Sequence, residues 1–567
     1  MVLEGRMFKH LLTLLKKIKY ELTYSLKSSS EKNRYEDLKN FWMAPSMLDD
    51  IKNIFWQISD DESIHSIPFI VFGKDLTPKI HKTLSPFDDF CDFKFDSKKL
   101  KPAYFNKADV KVPYEKSRFQ FLQLMIHPKG VDRNIELPYF DIQNLPRIFW
   151  NSPMDVAIRN INLIFYYLHF IASMDEPDKK EIYLSEPKIL EQIGYKAIKE
   201  HYEYIIHNLE NTGNVVGNHY LVELTSILLT LANFKFDGKE EQVKYFINEL
   251  ELQINEQFYD DGTNFESSTH YSAFVTEALI ICKLSIEKLD KNHEIVSKID
   301  HIIKSNRFFL SLMINNKELS QIGDNDSGKI FYKFHDEHKP LQIDWLINLI
   351  DKIYLNSESE IDTSIRYLDN QIIEDLNLDS MNKASHTKIK IFNDDFVSYG
   401  YKQFGLFVWR NEKEFLSIRC GPIGQNGYGG HAHYDQLSIE CFTDNSWIAR
   451  DPGTGTYTDD IETRNNFRSL NYHWGPKPNI AFPKEDEFDC FKLKYMSEGE
   501  VLQFDKNNFL GFADFNGKRI YRKITLKDGE VSIEDFSNEV ELEEYISWGE
   551  QNNGIKVKFS NGYKRVS

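Results

Sequence analysis

Histidines spaced closely with other ligating or acid–base side chains are the first residues in this chain that could do chemistry. The densest group is Gly429-Gly430-His431-Ala432-His433-Tyr434-Asp435. On a strand, side chains two apart point the same way, so His431 and His433 are expected to share a face. Two imidazoles on one face, after a glycine-rich turn, serve as two metal ligands or as one ligand and one catalytic base. Paired surface histidines with no function are also common. The context favours a site: Asp451, in Arg450-Asp451-Pro452-Gly453, ends the next apolar run, and His473 follows soon after. Two His and one Asp form a zinc-type donor set.

Two further groups lie earlier. Gly217-Asn218-His219-Tyr220 opens an apolar-periodic segment. Asn218 can serve there simply as a helix N-cap, which leaves His219 exposed or packed on the helix. The run Asp261-Gly262-Thr263-Asn264-Phe265-Glu266-Ser267-Ser268-Thr269-His270-Tyr271 is a polar loop entering a helix, with Ser268 or Thr269 as its cap. Loops held by a rigid scaffold carry function more often than cores do. The carboxylates Asp261, Glu266, Asp324 and Asp326 also suit a glycoside hydrolase, which needs two of them across the scissile bond.

The elements that must position these groups are legible from periodicity. Apolar residues recur at three- and four-residue spacing near 115–127, 152–174, 189–211, 217–234, 239–258, 268–288, 294–316 and 339–354. A long series of helix pairs builds an (α/α) toroid or an α-solenoid, and no fixed-period repeat supports a regular solenoid. After a polar stretch around 355–395 the period becomes two. Leu437, Ile439 and Cys441 alternate with polar residues, and Asn516-Gly517 and Asp528-Gly529 are hairpin turns. The expected fold is multidomain α + β, an N-terminal (α/α) toroid followed by a C-terminal antiparallel β-sandwich. The boundaries are a poorly parsed region at 1–110, helices at 111–355, a linker at 356–394 and the β-domain at 395–567.

Composition limits the partners. A chain of 567 residues is too long for a single ordinary core. The net charge of −18 disfavours nucleic acid, although a locally basic cleft remains compatible with an acidic sugar. Five scattered Cys without CxxC spacing read as reduced thiols. No stretch of about 20 apolar residues is present, so no membrane span is expected. The N-terminal segment carries Phe8, Leu11, Leu12, Leu15, Ile18, Leu22 and Leu26 on one helical face, beside Lys9, Lys16, Lys17 and Lys19. It either packs on its own domain or makes peripheral contact with a membrane surface. It lacks a signal-peptide pattern, which makes the cytoplasm the expected location and the periplasm the alternative.

Taken in order, the motifs resemble the heparinase II/III-like polysaccharide lyases, a family related to alginate and oligoalginate lyases. The resemblance spans roughly 110–540. It is carried by Pro113-Tyr114-Glu115-Lys116-Ser117-Arg118, Trp150-Asn151-Ser152-Pro153-Met154-Asp155, Asn218-His219, the Asp261–Tyr271 run and Ile322-Gly323-Asp324-Asn325-Asp326-Ser327-Gly328. It continues through Gly430–Gln436, Asp451-Pro452-Gly453-Thr454, Tyr457, Arg464, Arg468 and His473. One departure is Asn471-Tyr472-His473-Trp474, since relatives usually carry Asn directly after this His.

The resemblance implies β-elimination on a uronic-acid-containing glycan, leaving a 4,5-unsaturated uronate end. Asn218 and His219 would neutralise the uronate carboxylate, Tyr271 would protonate the leaving O4, and His431 would act as base or stabilise charge. Substrate contacts are implied for Arg159, Glu266, His270, Arg464 and Arg468, with a structural ion pair the alternative for each arginine. His433, Asp451 and His473 would hold a divalent metal, most simply a structural zinc. The alternatives are a toroid glycoside hydrolase and a non-catalytic glycan-binding protein on the same fold.

Overall fold

A computed structural model describes residues 111–127, 147–172, 197–334 except 214, 339–354, 378–391, 395–480 except 459, 490–493, 498–542 and 558–564 except 562, with short strands and single positions elsewhere. The amphipathic N-terminal segment and most of the proposed linker lie outside the described residues. The chain forms two compact units. One comprises Met1–Glu256, Phe274–Asp300 and Lys329–His338; the other comprises Gln257–Ala273, His301–Gly328 and Lys339–Ser567.

The first unit is helical. Its helices include α1 (Lys111–Ser117), α2 (Pro153–Ala172), α3 (Ile198–His207), α4 (Asn218–Asn233) and α5 (Lys239–Gln257), followed by most of α6 (Thr269–Leu289) and the start of α7 (Ile295–Leu312). The start of α2 shows why the sequence folds this way. Ser152 Oγ accepts from the Asp155 N–H at 3.3 Å, Pro153 takes the first helical position, and Asp155 sits in the first turn. Asp155 then accepts from Arg118 Nε at 2.6 Å, and Glu115 accepts from both Arg118 and Lys111. The two N-terminal motifs therefore form one buried ion network that bolts α1 to α2.

Helix α4 is buried around nearly its whole circumference, and its polar residues pair inward. Asn160 of α2 donates to Ser226 Oγ at 3.0 Å and Thr230 Oγ1 at 3.1 Å. The segment read as one helix over 115–127 is instead α1 plus a 3-10 turn at Gln120–Met125. Phe119, at φ 57°, breaks the α pattern between them.

The second unit contains two antiparallel sheets. Their strands are β1 (Tyr367–Leu368), β2 (Asn382–Lys390), β3 (Val397–Tyr401), β4 (Leu406–Arg410), β5 (Phe415–Arg419), β6 (Ile439–Thr443), β7 (Ser446–Ala449), β8 (Glu500–Phe504), β9 (Asn508–Phe515), β10 (Lys518–Lys527) and β11 (Glu530–Ser537). One sheet runs β2-β11-β10-β9-β8-β1 and the other runs β3-β4-β5-β6-β7. Both predicted hairpins form. Asn516-Gly517 and Asp528-Gly529 have φ of 49°/76° and 53°/75°, the two positive values that a type I′ turn requires.

Side chains from both sheets share one core, including Trp409, Ile418 and Ile439 from one and Phe504, Ile520 and Val531 from the other. The alternation read from Leu437 is shorter than expected. Leu437 lies outside β6 at φ 61°, and every residue of β6 is buried. Arg522 of β10 pairs with Asp535 of β11 at 2.7 Å and donates to the carbonyls of Leu437 (2.6 Å) and Trp474 (2.9 Å). It thereby ties the six-stranded sheet to two segments that carry the site.

Among the described residues no helix is long and apolar enough to cross a membrane. Among the described residues Cys282, Cys420 and Cys441 are free thiols, buried as Cys490 is.

Candidate active site and metal centre

Three loops of the second unit are locked together by backbone and cap contacts. Ser268 caps α6 by accepting from the Tyr271 N–H at 3.1 Å, and its hydroxyl donates to the Asp324 carbonyl at 2.6 Å. The Asp324 N–H donates in turn to the His431 carbonyl at 2.9 Å. Gly323 makes this closeness possible. It sits at φ +69°, and a Cβ there would lie 2.8 Å from the carbonyl oxygens of both His431 and Ser267.

Asp324 is the hub. Its carboxylate takes a forked pair from Arg464, with Nη2 to Oδ2 at 2.8 Å, and also meets His431 Nδ1 at 3.1 Å and His433 Nε2 at 2.9 Å. Burial by itself would raise this carboxyl, but Arg464 and the two histidine hydrogen bonds outweigh it and hold Asp324 well below the ordinary carboxylate range. An ionised Asp324 only accepts, so Nδ1 of His431 and Nε2 of His433 carry hydrogens. The opposite nitrogen of each ring is then the one open to chemistry.

For His431 that atom is Nε2, which lies 3.6 Å from Glu266 Oε2, beyond hydrogen-bond range. The His431 ring stacks on Tyr271 with centroids 3.9 Å apart and planes 24° apart. Burial, then Asp326 and Asp324, push the Tyr271 phenol well above its ordinary range. Tyr271 is therefore a proton holder at neutral pH. Tyr457 is seated from behind by the C-terminal segment: its N–H donates to Tyr563 Oη at 3.0 Å, and the two rings lie 5.0 Å apart.

For His433 the open atom is Nδ1, and it faces His473 Nε2 at 3.2 Å. His473 Nδ1 donates to the Ser469 carbonyl at 2.7 Å, which aims its Nε2 at Asp451 Oδ2, 3.3 Å away. The other oxygen of Asp451 accepts from the Gly453 N–H at 2.8 Å. His433, Asp451 and His473 thus converge, all buried, with ligand atoms within 4.8 Å of one another. Each outer atom is oriented by a hydrogen bond, as metal ligands require. Two ring nitrogens and a carboxylate turned toward one point form a donor set that fits a divalent ion.

The sequence placed His431 and His433 on one strand face. They lie instead on a loop before β6 and share a partner because both rings turn toward Asp324. Asn218 is not the cap of α4: Gly217 holds that position and Asn218 is the first helical residue, buried, while His219 is exposed and paired with Glu210 at 3.0 Å.

The three arginines read as substrate contacts are buried and hold protein acceptors, with Arg159 Nη2 left over. Arg159 donates to His201 Nε2 (2.7 Å) and to the carbonyls of Ser117 and Phe149. Arg464 belongs to Asp324. Arg468 holds Asn465 Oδ1 at 3.0 Å and the carbonyls of Cys490 and Lys492. Glu266 is fully buried beside His431, and His270 Nε2 is 3.4 Å from Asp326 Oδ1. The role of Asp324 was missed, although its motif was singled out. Nothing local marks a carboxylate as the partner of an arginine 140 residues away.

The comparisons with known proteins agree with these motifs. Residues 143–336 match the heparinase II/III N-terminus family, and residues 398–473 match the heparinase II/III-like C-terminal family. No curated protein matches the chain. Among solved structures, that of heparinase III aligns at 13% identity and TM-score 0.50, covering 79% of this chain and 66% of that one, just under two thirds of its length. The heparan sulfate lyase HepC from Pedobacter heparinus aligns at 14% identity and TM-score 0.39, covering 85% of this chain and 75% of the other. Two regions of this chain thus match the heparinase II/III N-terminus and C-terminal families in that order, on a fold shared with heparinase III.

Proposed function

We propose that the chain is a polysaccharide lyase that cleaves a uronic-acid-containing glycan by β-elimination. The observation that carries this reading is the Tyr271–His431 stack, with His431 aligned by Asp324. A protonated phenol beside an imidazole with one open nitrogen supplies an acid and a base at one place. His431 Nε2 takes the C5 proton, the electron pair forms the C4=C5 bond, and O4 departs with the proton of Tyr271. The resemblance of their motif is the sole support for giving Asn218 and His219 the role of neutralising the uronate carboxylate. The same reading takes the helices as an (α/α) toroid and the two sheets as a sandwich.

The hydrolase alternative is weaker because two of its four candidate acids are otherwise engaged. Asp324 is clamped ionised by Arg464, and Asp261 Oδ1 accepts from Thr263 at 3.0 Å and 2.6 Å. Incubation with a panel of acidic polysaccharides, followed by ultraviolet absorbance, separates the two. A conjugated unsaturated uronate is expected from at least one polymer, and saturated products alone would overturn the lyase reading.

His433, Asp451 and His473 would hold the divalent ion, for which zinc suits the nitrogen–oxygen donor set. With an ion bound, His433, Asp451 and His473 would be held together, and the charge of the ion would stabilise the loops that carry them. Elemental analysis of untagged protein is expected to give about one zinc per chain, and exhaustive chelation is expected to lower the thermal midpoint. An unchanged midpoint after complete metal removal would refute the structural role.

A further inference from the structure

The aromatic groups around His431 differ in exposure. Tyr271 and Tyr457 are buried, the His431 side chain is 12% exposed, and Phe491 leaves 38% of its surface to solvent. The Phe491 ring meets Tyr457 edge-on, with centroids 5.0 Å apart, and meets His431 at 6.4 Å and 72°. An open aromatic ring thus stands one ring's width from the proposed base.

Its backbone is held on both sides. Arg464 Nη2 donates to the carbonyl of Cys490 at 3.2 Å, and Arg468 Nη1 donates to those of Cys490 and Lys492, each at 3.4 Å. Leu493 is buried against this anchor, and a Cβ on Gly429 would lie 3.1 Å from it. Two buried arginines therefore fix a short segment whose central side chain is apolar and left open. Arg464 also clamps Asp324, so one guanidinium sets both the His431 ring and the Phe491 backbone. Ligand sites use rigid aromatic walls in this way, with a few polar groups for orientation.

We propose that Phe491 is a sugar-stacking subsite. Its open face takes the apolar face of the pyranose ring that neighbours the reacting uronate. The inference rests on the glycan reading of the site, and it assigns to Phe491 the choice of chain length and the grip on the substrate, without a part in proton transfer.

The test uses the full chain with Phe491→Ala and Phe491→Trp. Heparan-type and alginate-type tetrasaccharides and their disaccharide halves serve as probes. Binding is followed by calorimetry in the Tyr271→Phe background and cleavage by ultraviolet absorbance in the wild-type background. Phe491→Ala is expected to weaken tetrasaccharide binding and raise KM roughly tenfold, the scale of losing one apolar contact surface, with kcat within about twofold. Disaccharide binding should change little, and Phe491→Trp should restore the tetrasaccharide affinity. Tetrasaccharide affinity unchanged in Phe491→Ala, a loss confined to kcat, or no tetrasaccharide binding to the parent protein would each overturn the subsite. If tetrasaccharides bind through Phe491 but no unsaturated product ever forms, the lyase reading falls and the subsite stands. Product formed with Phe491-independent binding gives the opposite result.

Discussion

Tyr271→Phe is expected to lower turnover on the order of a hundredfold or more while leaving the protein folded. The substitution keeps the ring, and with it the 3.9 Å stack on His431, but removes the phenolic proton. The cap of α6 is untouched, because Ser268 receives the Tyr271 backbone N–H. The stability change should be about one kcal/mol, the net scale of a single hydrogen bond. Burial and the neighbouring carboxylates Asp326 and Asp324 hold the phenol in its protonated form, the state an acid needs before it meets a leaving oxygen. KM should move far less than kcat, since the proton is required only as O4 departs. Folded Tyr271→Phe with near-normal turnover on the identified polymer would remove Tyr271 from the mechanism and leave the two family-domain matches intact.

The largest effect on stability is expected from Asp324→Asn. The carboxylate answers a fully buried Arg464 and two histidines, and an amide presents one acceptor where two charged oxygens stood. Breaking one side of a buried ion pair strands the other charge, which typically costs about 3–5 kcal/mol. Activity should fall as well, because His431 loses the hydrogen bond that selects its tautomer and His433 loses its outer support. Denaturant midpoints of Asp324→Asn, Arg464→Gln and the double variant test this directly. The double variant should be much less destabilised than the sum of the singles, with a coupling of about 2 kcal/mol or more. Additive losses, or an Asp324→Asn protein within about 1 kcal/mol of wild type, would show that the hub is not what holds the three loops.

What the sequence by itself determined is what local physics specifies. Ser152-Pro153 starts α2 because a hydroxyl cap and a fixed proline φ act within one turn. Asn516-Gly517 and Asp528-Gly529 set their hairpins because they tolerate positive φ at neighbouring positions. The donor set His433, Asp451 and His473 was readable because it lies in a short stretch whose residue types suit one ion.

The tertiary structure decided the rest. Asp324 stands 107, 109 and 140 residues from His431, His433 and Arg464, and no spacing rule announces such a pairing. The segments Gln257–Ala273 and His301–Gly328 are helical or loop-like by sequence, yet they join the compact unit that holds the sheets. Their long-range backbone bonds, such as that of Asp324 to His431, outweigh local propensity. Arginine was the least legible residue. Its long side chain reaches carbonyls, a histidine or a carboxylate with equal ease, so only the tertiary structure shows which protein groups Arg159, Arg464 and Arg468 hold.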